Sequence, residues 1–425
     1  MSLTSGTRLL ARVALLSLSP VALLSLSSVA LLALAASFGS SSVAQQATPA
    51  GAQDVKLAYL GFRRPAPPVY DYESEPGDSG IQGARIAMRD MATTGRLTGQ
   101  NFVLDEMLLS KGQSAVEAAK ALAAKGEGLI VADLPAADLL AVSDALKDKP
   151  VTLFNIGAED DALRNADCRA NIDHIAPSRS MLTDALMQFL LSKQWRKIFL
   201  ITGKEEGDKL YADAARRSIK KFGLKLVGDK EWEFGNLARD RADGPTQADA
   251  LVFSRDTGAD VIVVADEADN FGDYIQYHTA EPKLVAGTQG LTPATWSRVL
   301  DSWGSAQLQS RFVRTNKRAM RPLDYQAWTA VRAIGEAATR TKSGDPATVS
   351  EYMLHPEFEI AAFKGVPVSI RDWDRQLRQP ILIVQPKMLV SVAPEPGFLH
   401  PVSPLDSLGF DKPETGCKIP SGGKS

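Results

Sequence analysis

Short apolar segments alternate with amphipathic helices through most of this 425-residue chain. Residues 128–133, 197–203 and 260–266 are nearly continuous apolar runs of strand length, typical of strands buried on both faces. Residues 81–93, by contrast, repeat their apolar side chains at helical spacing. This alternation predicts an α/β fold in which mostly parallel sheets are flanked by helices.

The alternation runs twice, which predicts two α/β halves of similar size joined near residues 172–178. The predicted strands are 56–61, 102–107, 128–133, 151–155, 197–203, 225–233, 260–266, 284–287, 366–370 and 380–385. The predicted helices are 81–93, 114–125, one ending at 146, 178–193, 210–222, 247–256, 293–303 and 325–341.

The chain starts with a feature of export. Residues 13–53 contain no charged residue, directly follow Arg8 and Arg12, and include the small residues Ser42-Val43-Ala44. This pattern predicts a signal peptide cleaved near Ala44 and a periplasmic protein. A permanent membrane anchor is the alternative, since the run is long enough to span a bilayer, but serines and Pro20 interrupt it. The run has no cysteine, so we expect no lipid anchor.

The composition of the full sequence limits the partners of the protein. Apolar residues make up 44% and charged residues 23%, as in soluble globular proteins, and the formal net charge is -2. A near-neutral, mildly acidic protein is not suited to neutralising nucleic-acid phosphates. We expect a soluble monomer with no nucleic-acid partner.

The two cysteines are Cys168 and Cys417, and in an oxidising compartment we predict that they form a disulfide. Two separate buried thiols are the alternative. The four histidines are scattered, and no metal-binding spacing is present. We therefore expect neither a metal site nor a cofactor required for catalysis.

No nucleophile elbow, P-loop or dinucleotide-binding glycine motif is found, which argues against an enzyme. Polar residues instead follow predicted strands, where open α/β sheets bind ligands. These candidate ligand-binding residues are Arg63, Arg64, Asp133, Asn155, Lys204, Asp266 and Gln289. For Asp133 and Asp266 taken singly, a turn or helix cap is the simpler interpretation.

Aromatic residues supplement this set. Tyr72 lies in a loop rich in proline and tyrosine, and its ring offers a face for a planar ligand. Trp296 and Trp303, seven residues apart, would share one face of the predicted 293–303 helix. A place in the core and a place against ligand are equally open for these two tryptophans.

The order of elements resembles that of type I periplasmic substrate-binding proteins of branched-chain amino acid transporters. Segments 56–61, 83–88 and 325–338 fall where that family has its first strand and two of its helices. Segments 296–298, 307–312, 324–328 and 363–365, and above all the tract 371–380, resemble a subgroup associated with PQQ-dependent alcohol dehydrogenases. The resemblance implies two lobes with a ligand cleft between them, and an ABC transporter permease in the inner membrane as partner.

With this resemblance, the chain divides into six predicted segments. They are the signal peptide (1–44), the first part of lobe 1 (54–175), lobe 2 (176–290), a return to lobe 1 (291–365), terminal strands completing the lobes (366–393) and a Pro/Gly-rich tail (394–425).

The first loop departs from the pattern of amino acid binders. It reads Phe62-Arg63-Arg64-Pro65-Ala66-Pro67-Pro68, with two cations and no small hydroxyl residue. Such a loop suits a flat polyanion, and the subgroup resemblance implies pyrroloquinoline quinone (PQQ), a planar tricarboxylate, as the transported ligand. An alcohol, its acid product or another small metabolite is the alternative cargo, and a sensor subunit would share the same fold.

Overall fold

The computed structural model describes residues 53–66, 75–234 and 246–419. The predicted signal peptide at 1–44 and the candidate Tyr72 lie outside these residues. Among the described helices, none combines the length and apolar character needed to cross a bilayer.

Lobe 1 is built on a parallel sheet of five strands. They are β1 (Gln53–Phe62), β2 (Gln100–Leu109), β3 (Leu129–Asp133), β4 (Thr152–Asn155) and β5 (Ile172–His174), in the order β2-β1-β3-β4-β5. Its first face packs against α1 (Ile81–Thr98), α8 (Ser305–Asn316), α9 (Pro322–Thr341) and α10 (Pro346–Met353). Helices α2 (Ala115–Ala124) and α3 (Ala136–Leu146) cover the second face.

Lobe 2 repeats this plan with four parallel strands. They are β6 (Lys197–Thr202), β7 (Lys225–Glu231), β8 (Val261–Ala265) and β9 (Leu284–Gly287), in the order β7-β6-β8-β9. Helices α4 (Arg179–Ser192) and α5 (Glu206–Lys221) pack on one face. Helices α6 (Thr246–Phe253) and α7 (Gly272–Ile275) pack on the other.

Two small antiparallel sheets follow in the chain. One contains β11 (Ile360–Ala361), β12 (Pro367–Ile370) and β13 (Leu377–Arg378). The other, which we call the interlobe sheet, contains β10 (Thr292–Ala294), β14 (Ile381–Gln385) and β15 (Met388–Ala393), with β14 in the centre.

Strand β14 joins the hydrophobic cores of the two lobes. Successive side chains of a strand point to opposite faces. Accordingly Ile381 and Ile383 pack into the core of lobe 2, whereas Leu382 and Val384 pack into the core of lobe 1. All four side chains are buried. In most strands alternate side chains face the core and the solvent, whereas in β14 they face the core of lobe 1 and the core of lobe 2.

The two α/β lobes confirm the fold class predicted from the sequence. The helix predicted at 293–303 is wrong, because β10 covers Thr292–Ala294 and the chain then runs irregularly until α8 begins at Ser305. Trp303 and Gly304 both have positive φ angles, 55° and 81°, which a right-handed helix excludes. The seven-residue spacing of Trp296 and Trp303 therefore has no helical meaning.

Buried charged side chains form hydrogen bonds with the chain segments that cross between the lobes. The Arg164 guanidinium, which is 1% exposed, donates to the carbonyl oxygens of Ala158 (2.8 Å), Ala176 (2.8 Å) and Pro177 (3.3 Å), and to Oε1 of Gln376 (2.8 Å). These partners belong to the β4–β5 loop, to the passage from β5 into α4, and to the segment that precedes β14. Burial lowers the pKa of Arg164 to about 10, so the side chain stays charged at neutral pH.

Lys364 forms hydrogen bonds with two further crossing segments, one after β10 and one before β14. Its ammonium donates to the carbonyl oxygen of Thr295, beyond β10, and to that of Pro380, before β14, at 3.0 Å. It also lies 5.0 Å from the centre of the Tyr325 ring. Because this lysine is buried, its pKa falls from 10.5 to about 7.

The residues after β15 pack against the protein. Leu405, Asp406 and Leu408 are buried, and a disulfide joins Cys417 to Cys168 in the β4–β5 loop of lobe 1. Part of the predicted Pro/Gly-rich tail is thus packed against the rest of the protein.

The lowered pKa of Lys364 predicts a pH-dependent stability. Between about pH 7 and 10.5 the unfolded state holds a proton that the folded state has lost, so the free energy of unfolding should rise with pH in this window. The difference in unfolding free energy between the native protein and Lys364→Met should increase by up to roughly 1.4 kcal/mol per pH unit there. Chemical denaturation at several pH values measures it.

Lys111→Met, at an exposed position, serves as the control. A native-minus-Lys364→Met difference that stays flat or falls between pH 7 and 10.5 would contradict the prediction.

Candidate functional site

The two parallel sheets present the carboxyl ends of their strands to a cleft between the lobes. A cavity of about 320 Å³ lies there. Lobe 1 contributes Glu159 and Gln326, lobe 2 contributes Tyr211 and Glu267, and the interlobe strand β10 forms part of the wall. The position fits the rule that open α/β sheets bind ligands beyond the carboxyl ends of their strands.

A single arginine organises the acidic side of the cavity. Arg179, the first residue of α4, binds Glu267 through two hydrogen bonds of 2.7 Å, one to each carboxylate oxygen. Its Nη1 also lies 3.3 Å from the Asp160 carboxylate. Burial alone would lower the pKa of Arg179, but its bonds to Glu267 raise it, so the guanidinium remains charged. Arg179 therefore joins the β4–β5 loop of lobe 1 to the residues that follow β8 in lobe 2.

Glu159 adds a further carboxyl group to this cluster. Burial and the nearby Glu267 carboxylate raise its pKa from 4.5 to about 7, although Arg179 and Arg164 act in the opposite direction. Within the described residues its carboxylate has no hydrogen-bond donor in the protein. At neutral pH this carboxyl group therefore exchanges readily between its neutral and charged forms.

The Tyr211 hydroxyl is the second polar group at the cavity without a partner among the described residues. The side chain belongs to α5 and is 3% exposed. Burial raises its pKa, and the carboxylates of Glu267 and Glu159 raise it further, so the hydroxyl keeps its proton. A buried, unpaired hydroxyl costs free energy that a hydrogen bond to a ligand would recover.

The remaining polar wall is already hydrogen-bonded. Gln326 Nε2 donates to Thr295 Oγ1 at 3.1 Å. Gln289 Nε2 donates to the Asp266 carbonyl oxygen at 2.9 Å, and its Oε1 accepts from Thr288 Oγ1 at 2.5 Å. These side chains are held in fixed positions, which suits a site that selects a ligand by shape.

A second hollow of about 780 Å³ adjoins the cleft on lobe 2 and shares Glu267 with it. Trp232 and Phe271 stack in its wall at 4.7 Å with nearly parallel planes. Lys204 also lines this hollow, and its ammonium donates to the Glu233 carbonyl oxygen at 3.3 Å. The predicted candidate Lys204 therefore belongs to this hollow, while Gln289 and Asp266 belong to the interlobe cavity.

The first-loop arginines have separate environments. Arg64 forms two hydrogen bonds to the Asp133 carboxylate, 2.6 and 2.8 Å long, and the Tyr59 hydroxyl donates to the same group at 2.9 Å. Arg64 and Asp133 thus neutralise each other at the carboxyl ends of β1 and β3. Arg63 is exposed.

Two other predicted residues use their polar atoms to shape the chain. Asn155 is fully buried; its Oδ1 accepts from the backbone amides of Gly157 and Ala158, and its Nδ2 donates to the Ala158 carbonyl oxygen. The buried Asp266 carboxylate accepts from the amides of residues 270, 271 and 272 at the start of α7. Both side chains form the turns that carry the site.

The two tryptophans differ. Trp296 is buried, stacks on Tyr325 with ring centres 4.7 Å apart, and donates from Nε1 to Gln309. It belongs to the core of lobe 1. Trp303 is 49% exposed and follows the interlobe strand, so its indole face is available to solvent.

Glu159, Arg179 and Tyr211 were not predicted as site residues from the sequence. Glu267 directly follows the candidate Asp266 beyond the strongest predicted strand, and Glu159 follows the turn after β4, so the sequence positions of these two glutamates carry the same information as those of the candidates. Arg179 and Tyr211 lie inside helices, and no sequence pattern distinguished them. No cluster of three potential metal ligands occurs in the described ranges.

The fold and this cleft define a two-lobed binding protein. The chain belongs to the periplasmic binding protein family, whose model matches residues 71–388. No curated protein sequence matches the chain.

Solved structures share the fold at low sequence identity. A branched-chain amino acid ABC transporter periplasmic ligand-binding protein of Burkholderia xenovorans is 16% identical, with 80% of this chain and 95% of that chain covered and a TM-score of 0.63. An ABC transporter solute-binding protein of R. palustris in complex with benzoate is 13% identical, with 87% and 100% covered and a TM-score of 0.59. The branched-chain amino acid binding protein of Streptococcus pneumoniae in complex with isoleucine is 14% identical, with 80% and 99% covered and a TM-score of 0.58.

The carboxylates of the cleft predict a coupled titration. Glu267→Gln should lower the pKa of Glu159 below 7, because it removes a negative charge and leaves Arg179 free to approach Glu159. Carbon-13 NMR titration of labelled glutamate carboxyl groups measures the shift. Glu117→Gln, on the surface helix α2, should leave the pKa of Glu159 in place. An unchanged or higher pKa in Glu267→Gln would show that the two groups do not interact.

Proposed function

We propose that this protein is the periplasmic solute-binding component of an ABC importer, and that it captures a small molecule in the cavity between its lobes. The cavity at the carboxyl ends of both sheets is the observation that carries the proposal. Binding closes the lobes around the solute, and the closed protein delivers it to a permease in the inner membrane.

The charges of the cleft indicate the chemistry of the ligand. Glu159, Asp160 and Glu267 outnumber Arg179, and Glu159 lacks a hydrogen-bond donor from the described residues. A ligand with an ammonium group or several hydrogen-bond donors would satisfy Glu159 and the Tyr211 hydroxyl together. Two solved structures with this fold contain bound isoleucine and bound benzoate, so small molecules of their size can bind to the fold.

The polyanion PQQ, inferred from the sequence, is the second candidate. The larger hollow beside Lys204 favours it, although the exposed Arg63 and Trp303 line neither this hollow nor the interlobe cavity. The pairing of Arg64 with Asp133 weighs against it, because one of the two cations invoked is already neutralised. The tract 371–380 gives PQQ no added support, since Arg371 and Gln376 bind other parts of the protein.

Calorimetric titration at pH 6 and pH 8 separates the two candidates. Protonation of Glu159 below about pH 7 removes negative charge, so an amine such as isoleucine should bind more weakly at pH 6 than at pH 8. PQQ should show the opposite order. Isoleucine, benzoate and PQQ are suitable probes, and absence of binding by a broad panel of amines, amino acids and carboxylates would overturn the proposal.

We predict that Tyr211→Phe weakens binding of the tightest ligand from this panel about fivefold, since one hydrogen bond contributes roughly 1 kcal/mol. The unliganded protein should become somewhat more stable, because the substitution removes a buried hydroxyl that has no partner among the described residues. Tyr274→Phe is the matched control: its hydroxyl is also buried and unpaired within the described ranges, but it does not line the interlobe cavity. Equal affinities for the two variants would remove Tyr211 from the site.

A further inference from the structure

The larger hollow of lobe 2, about 780 Å³ in volume, lies at a topological switch point of the parallel sheet. In the strand order β7-β6-β8-β9, the chain leaves β6 through α5 to reach β7 on one side and later returns to β8 on the other. Helices α5 and α6 accordingly cover opposite faces of the sheet. Loops that diverge in this way leave a crevice beyond the carboxyl ends of the strands, where open α/β sheets bind ligands. The hollow therefore has the position of a binding site.

The described residues that line the hollow carry more negative than positive charge. Their carboxylates belong to Glu205, Asp208 and Glu267, and Lys204 is the one cation among these described residues. Glu267 is paired with Arg179, but Glu205 and Asp208 still outnumber Lys204. The amino terminus of α5 could bind a phosphate, yet it already holds the Asp208 carboxylate, which accepts from the Glu205 amide at 3.1 Å. The volume of the hollow would admit PQQ, but its balance of charge favours a cation over a polyanion.

Aromatic rings supply a second attraction for a cation. Phe234 lies edge-to-face with Trp232, with ring centres 4.9 Å apart, and Trp232 also stacks on Phe271. All three rings line the hollow. The face of an aromatic ring attracts an ammonium group, and nearby carboxylates attract the same charge. Rings and carboxylates together thus form a lining that suits an organic cation.

The hollow and the interlobe cavity meet at Glu267, which lines both. A Cβ atom at Gly207 would lie 2.5 Å from Glu267 Oε2, so this carboxylate rests directly against the backbone of α5. About one helical turn further along α5, Tyr211 lines the interlobe cavity, and its buried hydroxyl has no partner among the described residues. A solute bound beside Tyr211 and Glu159 can therefore extend past Glu267 into the hollow.

We propose that the hollow is a second subsite for the transported solute, and that this solute is an elongated organic molecule with a positively charged group at each end. One cationic group lies beside Glu159 and Tyr211 in the interlobe cavity. The other lies in the hollow, beside Glu205 and the aromatic rings. This inference rests on the proposed function, which it narrows from amines in general to dications.

Calorimetric titration at pH 8, where Glu159 is charged, compares diaminoalkanes from diaminobutane to diaminooctane with the monoamines of equal carbon number. At the best chain length the diamine should bind about tenfold more tightly than the monoamine, because its second ammonium gains a charge-assisted hydrogen bond or a contact with a ring face. Equal affinities over the whole series, or no binding of either class, would overturn the second subsite. Binding of the monoamines alone would still support capture in the interlobe cavity, so the two proposals fail separately.

Glu205→Gln tests where the second ammonium lies. Glutamine keeps the size and an acceptor oxygen of the side chain but removes its charge, so the advantage of the diamine should fall about threefold while the monoamine affinity stays the same. Glu206→Gln is the matched control, since Glu206 is the next residue, is also exposed and does not line the hollow. Phe234→Leu should weaken binding of the diamine in the same selective way. A diamine advantage that survives both Glu205→Gln and Phe234→Leu would overturn the assignment to the hollow.

Discussion

The buried guanidinium of Arg164 is the interaction on which the arrangement of the two lobes depends. A buried charge is tolerated only when its donors are satisfied, and this one reaches the β4–β5 loop, the passage from β5 into α4, and Gln376. Gln376 in turn donates to the carbonyl oxygens of His174 and Ala176. The same loop carries Glu159 and Asp160, and the same passage leads to Arg179. The network that fixes the lobes therefore also positions the acidic side of the cleft.

The interlobe sheet explains how two cores can act as one unit. Because β14 directs alternate side chains into the core of each lobe, the lobes are not joined merely by flexible linkers. Lys364 binds the carbonyl oxygens of the segments that precede β14 and follow β10. Arg371 and Arg378, which also precede β14, bind the buried Asp406 carboxylate. A rotation of one lobe relative to the other must change the conformation of these few hydrogen-bonded segments. Solute binding and lobe movement would therefore be coupled at these segments.

The sequence predicts the central strands well and the site less well. Residues 128–133, 197–203 and 260–266 were predicted as strands and agree with β3, β6 and β8 to within one residue at each end. Continuous apolar runs leave few other structures available. Strands β5 and β10 have three residues each, which is too short for a periodic pattern to be recognised in the sequence. The helix at 293–303 was predicted from a helical spacing of apolar residues, but these residues form β10 and an irregular segment. At the site, the sequence alone does not show whether a carboxylate that follows a strand caps a helix, as Asp266 does, or faces the cleft, as Glu267 does. Only the neighbours in space distinguish the two.

In the proposed function, the acidic cleft would link proton binding to lobe closure. In the structure Glu159 already has a pKa near 7 because burial and Glu267 disfavour its charge. Tighter closure would remove more water and raise this pKa further, so an empty closed cleft would take up a proton. A cationic group from a ligand would oppose that effect and keep Glu159 charged. The closed state then gains most from a ligand that supplies such a group, since a ligand shifts the equilibrium only by its difference in affinity for the two states. In the proposed function, selection of the solute and closure of the lobes would thus depend on the same carboxylate.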